Sequence, residues 1–460
     1  MLFAVFGGWL FGEMKGAWVM FQPRFSIWVM VLFCVPLALG EDHWPQFRGV
    51  YAAGHGGEQG LPESWDVETG ANVAWKLAIP GQSYASPITW GDTVFVVTVT
   101  SAGQEAGQDN EAKENGQPLE YRWEVWSIHL RTGGVLWRKV VHSATWPAEK
   151  SNQIPQPHST PATDGKVVVA MFGTQGLHAL TTSGELLWKK DFGKLNIGDF
   201  EGPDSSWYHA SSPILQNGIV YLQCDTPKES FLVAFDSQTG KEVWRAAREE
   251  LASLGSPAYV PGQPDEIVAN GAHFIRGYNA ATGKELWKVA ASGVQCTTPT
   301  PIFNREHIVV ASGKRQVKPV YAIKRGVHGD QMHGKGNTLD GAVAWRKKGR
   351  GPNLPTPIIA GDLLYILQDK GILDCYELAT GEEVYRQRIP GGAFTASPVV
   401  ADGNLYIASV DGDVFVVPEG RNFQIKSRIG MEEELYATPA IAKKTLLIRG
   451  KQHLFAIRGQ

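Results

Sequence analysis

A unit of about 41 to 44 residues recurs along the 460-residue chain, and this repeat constrains the fold more than any single motif does. One half of the unit is a Ser or Thr followed by Pro at the start of an apolar run. It occurs eight times, at Ser86-Pro87, Thr160-Pro161, Ser212-Pro213, Ser256-Pro257, Thr300-Pro301, Thr356-Pro357, Ser397-Pro398 and Thr438-Pro439. Successive prolines are 74, 52, 44, 44, 56, 41 and 41 residues apart, which indicates one base period with insertions.

The other half of the unit is a tight turn containing Gly, followed by a short strand that carries a large aromatic residue. Asp236–Gly240 followed by Lys241–Trp244 is a clear copy, in which Gly240 is free to adopt positive φ. The aromatic position is occupied by Trp137, Trp188, Trp244, Trp287 and Trp345, and by Tyr385 once. Repeated strand–turn–strand units of this length predict four-stranded antiparallel propeller blades.

The two ends of the chain each carry an incomplete unit. Val73–Leu77, around Trp75, matches an outer strand without preceding inner strands, whereas Tyr436–Arg458 has three short apolar runs and no Trp strand. A circular array of sheets must close, so the fragments predict an all-β, eight-bladed β-propeller whose last blade is closed by an N-terminal strand. The predicted blades cover residues 84–140, 158–190, 209–246, 254–290, 297–348, 354–389, 395–429 and 436–460 with 72–79.

Residues 1–40 differ from the propeller domain predicted for 41–460. Arg24 precedes an apolar run, Phe25–Gly40, with small residues before a cleavage site at Glu41. This pattern predicts a secretory signal peptide, with Met20 as a plausible true start, and places the mature chain in the periplasm or outside the cell. An uncleaved membrane anchor is the alternative; after cleavage the protein is predicted not to be integral to the membrane.

Composition narrows the function classes. A net charge of −3 gives no electrostatic reason to expect nucleic-acid binding. Cys224, Cys296 and Cys375 are too widely spaced for a zinc pattern or a disulfide framework, and we expect buried strand residues. One disulfide between two of them remains an open alternative in an oxidising compartment.

Loop insertions predict where binding occurs, because a repetitive scaffold carries its function on loops. Blade 1 has a polar insert at 101–120, and the segments 137–161 and 188–213 are longer than the other connections between blades. These three loops should open over one sector of one face, whereas the insert 327–340 of blade 5 should lie on the opposite face. The candidate ligand or partner residues in that sector of the channel mouth are Tyr84, His158, Trp207, Tyr208, His209 and Tyr436.

The eight Ser/Thr residues before the prolines should form a ring around the mouth of the central channel. Their hydroxyls can bond to the backbone of the neighbouring blade, so we predict mainly a structural role. No residue is predicted to be catalytic and none to hold a metal. Two polar sets contain residue types that can bind metals, but we interpret them as solvated loop residues: Asp199, Glu201 and Asp204, and His328, Asp330 and His333.

The Gly-x-x-Trp turns, the Ser/Thr-Pro openings, the Trp44–Gly49 start and the Asn72–Trp75 strand resemble the pyrroloquinoline-quinone (PQQ) repeat propellers. The resemblance covers residues 41–460 and implies a secreted bacterial eight-bladed fold in which the repeat Trp packs between blades. This superfamily contains both quinoprotein dehydrogenases and propellers that bind no cofactor, so the resemblance implies fold more than activity.

Quinoprotein alcohol dehydrogenases resemble this chain but usually carry two adjacent cysteines and a calcium site, and neither pattern is present in the sequence. The sequence therefore predicts an exported, monomeric, non-catalytic binding or protein-interaction scaffold, whose partner is a protein or an envelope polymer. The alternative is an enzyme at the channel mouth, either a quinoprotein dehydrogenase using PQQ with calcium or a polysaccharide-acting protein.

Overall fold

The computed structural model describes residues 42–101, 119–146, 157–193, 195, 209–293, 296–314, 317–331 and 341–459. Within these ranges the chain forms eight antiparallel four-stranded sheets, two of which gain one further strand, and this confirms the predicted eight-bladed propeller. The predicted signal segment lies outside the described residues. No helix in the described part of the chain has the length and apolarity required to cross a bilayer.

The strands of each blade run in sequence from the channel to the outer rim. Blades 1 to 3 contain Ile88–Trp90, Thr93–Ser101, Leu119–His129 and Val135–Trp146; Ala162–Thr163, Val167–Met171, Leu177–Thr181 and Leu186–Lys190; and Ile214–Gln216, Ile219–Asp225, Ser230–Asp236 and Glu242–Arg248. Blades 4 and 5 contain Ala258–Val260, Glu266–Ala269, Phe274–Asn279 and Glu285–Ala290; and Ile302–Phe303, His307–Ala311, Val320–Lys324 and Val343–Lys347. Blades 6 to 8 contain Ile358–Ala360, Leu363–Leu367, Ile372–Glu377 and Glu383–Arg388; Val399–Ala401, Asn404–Ala408, Asp413–Pro418 and Ser427–Gly430; and Ala440–Ala442, Thr445–Arg449, His453–Ile457 and Val73–Ala78. Two single-turn 3₁₀ segments are Val50–Ala52 and Gly173–Gln175.

Burial explains the composition of the strands. The second strands are covered by a neighbouring blade on each face, so Val167–Met171 is buried at every position and consists almost entirely of aliphatic side chains. The outer strands, such as Glu242–Arg248, have exposed and charged positions because one edge faces solvent. The core is therefore a series of apolar layers between adjacent blades.

The N-terminal strand closes the ring as the sequence predicts. Val73–Ala78 pairs antiparallel with His453–Ile457, and it supplies the fourth strand of blade 8. The pairing joins the two ends of the propeller domain and covers an edge that would otherwise expose unpaired backbone groups.

The repeat tryptophans pack between blades, which explains the Gly-x-x-Trp spacing. Trp188 Nε1 donates a hydrogen bond to the Ser237 carbonyl of the next blade at 2.8 Å, and its ring lies against Gly240 in that blade's outer turn. An indole N–H likewise donates to a backbone carbonyl of the next blade at Trp75, Trp137, Trp244 and Trp345. Trp287 differs, because its Nε1 donates to Glu266 Oε2 within its own blade.

The cysteine prediction is confirmed for two residues and wrong in one detail. Cys224 and Cys375 are buried within strands, and none of the three cysteines forms a disulfide within the described part of the chain. Cys296 is also buried, but it lies in the loop before blade 5 with φ 55 and belongs to no strand. A positive φ is incompatible with strand geometry, and a pattern of apolar residues in the sequence does not indicate where such a φ occurs.

Two strands were not predicted. His43–Trp44 pairs with the inner strand of blade 1. Gly329–Gln331, from the blade 5 insert, pairs in parallel with the outer strand of blade 4. The described part of that insert thus covers a neighbouring blade, while His333 lies outside the described residues.

Candidate functional site

The channel opens where the eight inner strands begin, and all eight Ser/Thr residues of the Ser/Thr-Pro pairs line it. They surround a cavity of about 490 Å³. The ring forms because the same repeat position reaches the axis in every blade.

The ring residues are joined to one another by hydrogen bonds from blade to blade. At six of the eight positions the backbone N–H of one residue donates to the side-chain hydroxyl of the next residue in the ring. The pairs are Ser86 to Thr160 at 3.0 Å, Thr160 to Ser212 at 3.0 Å, Ser212 to Ser256 at 2.8 Å, Thr300 to Thr356 at 3.1 Å, Thr356 to Ser397 at 2.9 Å and Ser397 to Thr438 at 2.9 Å. These bonds support the structural role that the sequence predicted for the hydroxyls.

Thr300 is an exception within the ring. Its Oγ1 is buried and accepts no hydrogen bond from any residue in the described part of the chain. A buried hydroxyl without a partner is unfavourable unless water or a ligand group bonds to it. The ring is thus asymmetric between blades 4 and 5.

A second ring lies two residues before the first, because alternate residues of an extended chain face the same side. Each blade contributes one member to the cavity wall: Tyr84, His158, Ala210, Leu254, Thr298, Leu354, Thr395 and Tyr436. The intervening residues, such as Ala85 and Ser211, are buried between blades. Aromatic side chains thus occupy blades 8, 1 and 2, and aliphatic or small side chains occupy the others.

The aromatic members are in mutual contact. The ring of Tyr84 lies 4.9 Å from that of His158 and 4.8 Å from that of Tyr436, in an edge-to-face arrangement with the latter. Burial raises the pKa of Tyr84, and burial together with a hydrogen bond from Tyr436 Oη to Glu434 Oε1 raises the pKa of Tyr436 to about 12. Both phenols are therefore protonated at neutral pH; the Tyr436 hydroxyl donates to Glu434, and the Tyr84 hydroxyl can act as a hydrogen-bond donor.

The N-terminal segment closes the other end of the channel, and Phe47 forms part of the cavity wall. The Arg48 guanidinium beside it donates to the carbonyls of Pro398 at 2.8 Å and Pro357 at 3.0 Å, which fixes the segment to blades 6 and 7. On the opposite side, the Pro45 carbonyl accepts the N–H of Thr163 in blade 2 at 2.8 Å. A molecule bound in the cavity is accordingly expected to enter through the mouth.

The structure brings together three of the six predicted site residues, Tyr84, His158 and Tyr436. His209 is buried, and its Nε2 donates to the Gln223 carbonyl at 2.8 Å, so its side chain faces blade 3 and is not part of the cavity wall. Burial lowers the pKa of His209. Trp207 and Tyr208 lie outside the described residues, as do the parts 102–118, 147–156 and 196–208 of the three predicted long loops.

Sequence reasoning missed Phe47 and the aliphatic members of the second ring. Leu254 and Leu354 occupy the same offset from the repeat Pro as Tyr84 and His158. The alignment of the repeats on their prolines would have identified them. No local signal distinguishes Phe47, because its position depends on contacts with distant blades.

The described part of the cavity wall does not fit PQQ with calcium. PQQ is a polycarboxylate, and calcium takes about six to eight oxygen ligands, commonly including carboxylates. No Asp, Glu, Lys or Arg is among the described residues that line the cavity. Elsewhere in the described ranges, no group of three His, Cys, Asp or Glu residues is arranged to hold a metal ion.

The sequence of the repeats also matches a known family. A family model described as "Outer membrane protein assembly factor BamB" matches residues 122–317, 228–355 and 336–420, which together span more than half of the chain. The chain belongs to this family. Its membership agrees with the PQQ-repeat pattern. No curated protein matches the chain by sequence.

Solved structures show the same fold at low identity. BamB from Moraxella catarrhalis is 11% identical, with a TM-score of 0.55 over 84% of this chain and 97% of that chain. A europium-containing methanol dehydrogenase is 12% identical, with a TM-score of 0.60 over 90% of each chain. Quinohemoprotein alcohol dehydrogenase from Comamonas testosteroni is 12% identical, with a TM-score of 0.63 over 91% of this chain and 81% of that chain. At such identities the likeness extends to the fold alone.

Proposed function

We propose that this protein is an exported, non-catalytic binding module that holds a ligand or partner at the channel mouth. The observation that carries the proposal is the composition of the described cavity wall, which combines hydroxyl, aromatic and aliphatic groups without a charged side chain. Such a surface provides shape, stacking and hydrogen bonds, which are the requirements of recognition.

The two tyrosines near the mouth favour binding over acid–base chemistry. A general base needs a pKa near the working pH and access to the reacting atom. Tyr84 and Tyr436 have raised pKa values, so they hold their protons at neutral pH. His209 is buried and already donates to a backbone carbonyl.

Family membership supports a partner in the cell envelope. The relatives that give the family its description are outer-membrane assembly factors, and the apolar run at 25–40 predicts export of this chain. We infer a protein or envelope polymer as the partner of a monomeric propeller. The aromatic sector formed by Tyr84, His158 and Tyr436 is the proposed contact surface.

The experiment compares partner capture with stability. The tagged wild-type protein and a Tyr84→Ala/His158→Ala variant are used in pull-downs from the native envelope fraction. We expect the variant to lose the captured partner while its melting temperature stays within a few degrees of wild type. Thr298→Ala, which lies in blade 5 across the channel from blade 1, is the matched control and should retain capture. Equal capture of the partner by all three proteins would show that the aromatic sector is not the contact surface.

The second candidate function is a PQQ-dependent dehydrogenase, favoured by the fold similarity to two quinoprotein alcohol dehydrogenases. Added PQQ and Ca²⁺ discriminate between the two functions. The binding-module proposal expects no quinone absorbance to remain with the protein after gel filtration, and no dye reduction with alcohols or sugars. Retained absorbance together with dye reduction would replace the proposal with the enzyme.

A further inference from the structure

The outer strands of blades 1 and 2 expose aliphatic side chains on the rim of the propeller. Val135, Leu136 and Val140 lie on the outer strand of blade 1, and Leu186 and Leu187 on that of blade 2. Leu136, which immediately precedes the repeat Trp137, is 54% exposed. Exposed aliphatic residues next to an unpaired strand edge are usually avoided, because such an edge can pair with another chain.

Blade 4 shows how this protein covers the equivalent position. Leu286, which immediately precedes Trp287, is partly buried in a cluster that also contains Val327. Two residues after Val327, the strand Gly329–Gln331 pairs in parallel with the outer strand of blade 4. In that register Asp330 pairs with Lys288, the residue after the repeat Trp. An acidic residue type is thus aligned with a basic one at the covered edge.

Blade 1 has similar chemistry at its edge, and no strand among the described residues pairs with that edge. Arg138 follows Trp137 as Lys288 follows Trp287. The Arg138 guanidinium lies 5.6 Å from the ring of Trp126 in the third strand, and the Lys288 ammonium lies 5.1 Å from the ring of Phe274 in the third strand of its own blade. In both blades the basic side chain thus lies over an aromatic ring of the third strand.

The charge on this edge has no counter-ion within the described residues. Arg138 and Lys139 are exposed and form no ion pair in the described part of the chain, although Glu242 and Glu285 pair with basic residues on the rims of blades 3 and 4. In blade 2 the exposed Lys189 continues the basic surface towards blade 1; burial lowers the pKa of His142, and the charge of Lys189 lowers it further. The edge thus presents aliphatic contacts flanked by unpaired positive charge.

We propose that the outer strand of blade 1, Val135–Trp146, is a docking edge for an extended segment of another protein. The segment adds a parallel strand, as Gly329–Gln331 does to blade 4, with an aliphatic side chain against Leu136 and an acidic side chain against Arg138. Main-chain hydrogen bonds supply affinity in this mode, and the two side-chain contacts supply specificity. The edge is separate from the channel mouth, so it does not depend on a ligand there.

The probe is a capped peptide with the sequence of residues 326–331, Gly-Val-His-Gly-Asp-Gln, titrated to millimolar concentration into Leu/Val methyl-labelled full-length protein. We expect saturable shifts of the methyl resonances of Val135 and Leu136. The methyls of Leu286 should not move, because that edge is already filled. A peptide with Lys in place of Asp should bind at least tenfold more weakly.

A charge exchange provides the decisive control. An Arg138→Glu/Lys139→Glu variant should bind the Asp peptide at least tenfold more weakly than wild type and should bind the Lys peptide more tightly. If the double variant is unstable, Lys139→Glu alone is used. The Tyr84→Ala/His158→Ala variant should bind the Asp peptide as wild type does. The docking-edge proposal and the channel-mouth proposal can therefore be contradicted independently of each other. Absence of shifts at Val135 and Leu136, or affinity that is indifferent to the charge exchange, would overturn the proposal.

Discussion

The backbone N–H of Ser86 donates to Thr160 Oγ1 at 3.0 Å, so a hydroxyl of blade 2 holds the residue two positions before the inner strand of blade 1. The arrangement explains why Ser or Thr precedes the repeat Pro. The Pro has no N–H, and the preceding residue lies at the channel just before a short strand, where a backbone donor needs a partner from outside its own sheet. A short hydroxyl side chain from the neighbouring blade provides that partner.

The ring bonds should therefore contribute to stability, and Thr160→Val tests this. The substitution preserves volume but leaves the buried N–H of Ser86 without an acceptor, so we expect the free energy of unfolding to fall by about 1–3 kcal/mol. Thr300→Val is the matched control, because its hydroxyl has no partner in the described part of the chain and the change should be neutral or stabilising. Chemical denaturation measures both; equal losses would contradict the ring interpretation.

The turn glycines should be required for contact with the tryptophan of the preceding blade. A Cβ at Gly240 would lie 2.7 Å from the Trp188 ring, and its φ is 68. Gly218, in another turn of the same blade, also has positive φ at 76, but its nearest neighbour would be 4.0 Å away. We expect Gly218→Ala to cost about 1–2 kcal/mol through backbone strain alone.

Gly240→Ala should lower the free energy of unfolding by about 1–3 kcal/mol more than Gly218→Ala does, because the Trp188 ring must also shift. The difference in unfolding free energy is measured by denaturation, and tryptophan fluorescence reports the displaced ring. Equal costs for the two substitutions would show that the turn does not constrain the tryptophan.

The two fully buried arginines should respond oppositely to substitution by Met. The guanidinium of Arg48 donates to several carbonyls, whereas all three nitrogens of Arg449 lack a hydrogen-bond partner among the described residues. Burial lowers the pKa of Arg449 to about 10, so it remains charged at neutral pH.

Removal of an unpaired buried charge should stabilise, and we expect Arg449→Met to raise the free energy of unfolding by about 1–3 kcal/mol. Arg48→Met should lower it by about 3 kcal/mol or more, because several carbonyls lose their donor. Thermal and chemical unfolding of both variants test the contrast. A destabilised Arg449→Met protein would contradict this account.

Acidification should destabilise the propeller through its buried histidines. Burial lowers the pKa of His178 to about 4, so the folded state keeps the imidazole neutral while the unfolded chain binds a proton below pH 6.5. Stability is thus fully present above pH 6.5 and is lost as the pH falls towards 4. For His178 alone the loss between pH 7.5 and 5 is about 2 kcal/mol.

His178→Phe is neutral at every pH and should show a shallower loss of stability between pH 7.5 and 5 than wild type. Urea midpoints measured at both pH values test the difference. Burial also lowers the pKa of His55 and His209, so a residual slope is expected in the variant. A slope unchanged from wild type would assign the pH dependence to other groups.

Export predicts that the mature chain begins near Glu41. The reason is the apolar run 25–40 and the small residues that precede the expected cleavage site. Protein recovered from the native host is fractionated and its N-terminus sequenced. A cytosolic protein that retains Met1 or Met20 would contradict the prediction.

The sequence by itself determined the number of blades and the way the ring closes. The repeat of Ser/Thr-Pro and Gly-x-x-Trp has a fixed period, and each copy forms local hairpins that need no distant contact. The isolated strand around Trp75 could be assigned to the incomplete last unit, because every blade of a closed propeller needs an outer strand. Tyr84, His158 and Tyr436 were placed at the mouth for the same reason, since equivalent positions in a repeat face the same axis.

Tertiary structure decided the features that break the repeat. Phe47 and Arg48 close the channel by contacts with blades more than 300 residues away in the chain, which no local period encodes. His209 is buried against Gln223 although its spacing from the repeat Pro suggested the axis. The strand Gly329–Gln331 covers the outer edge of blade 4, although it comes from a non-repetitive insert of blade 5. Such contacts depend on packing between separate blades. They could not be predicted because the repeat specifies the structure of each blade but not the segments that pack around it.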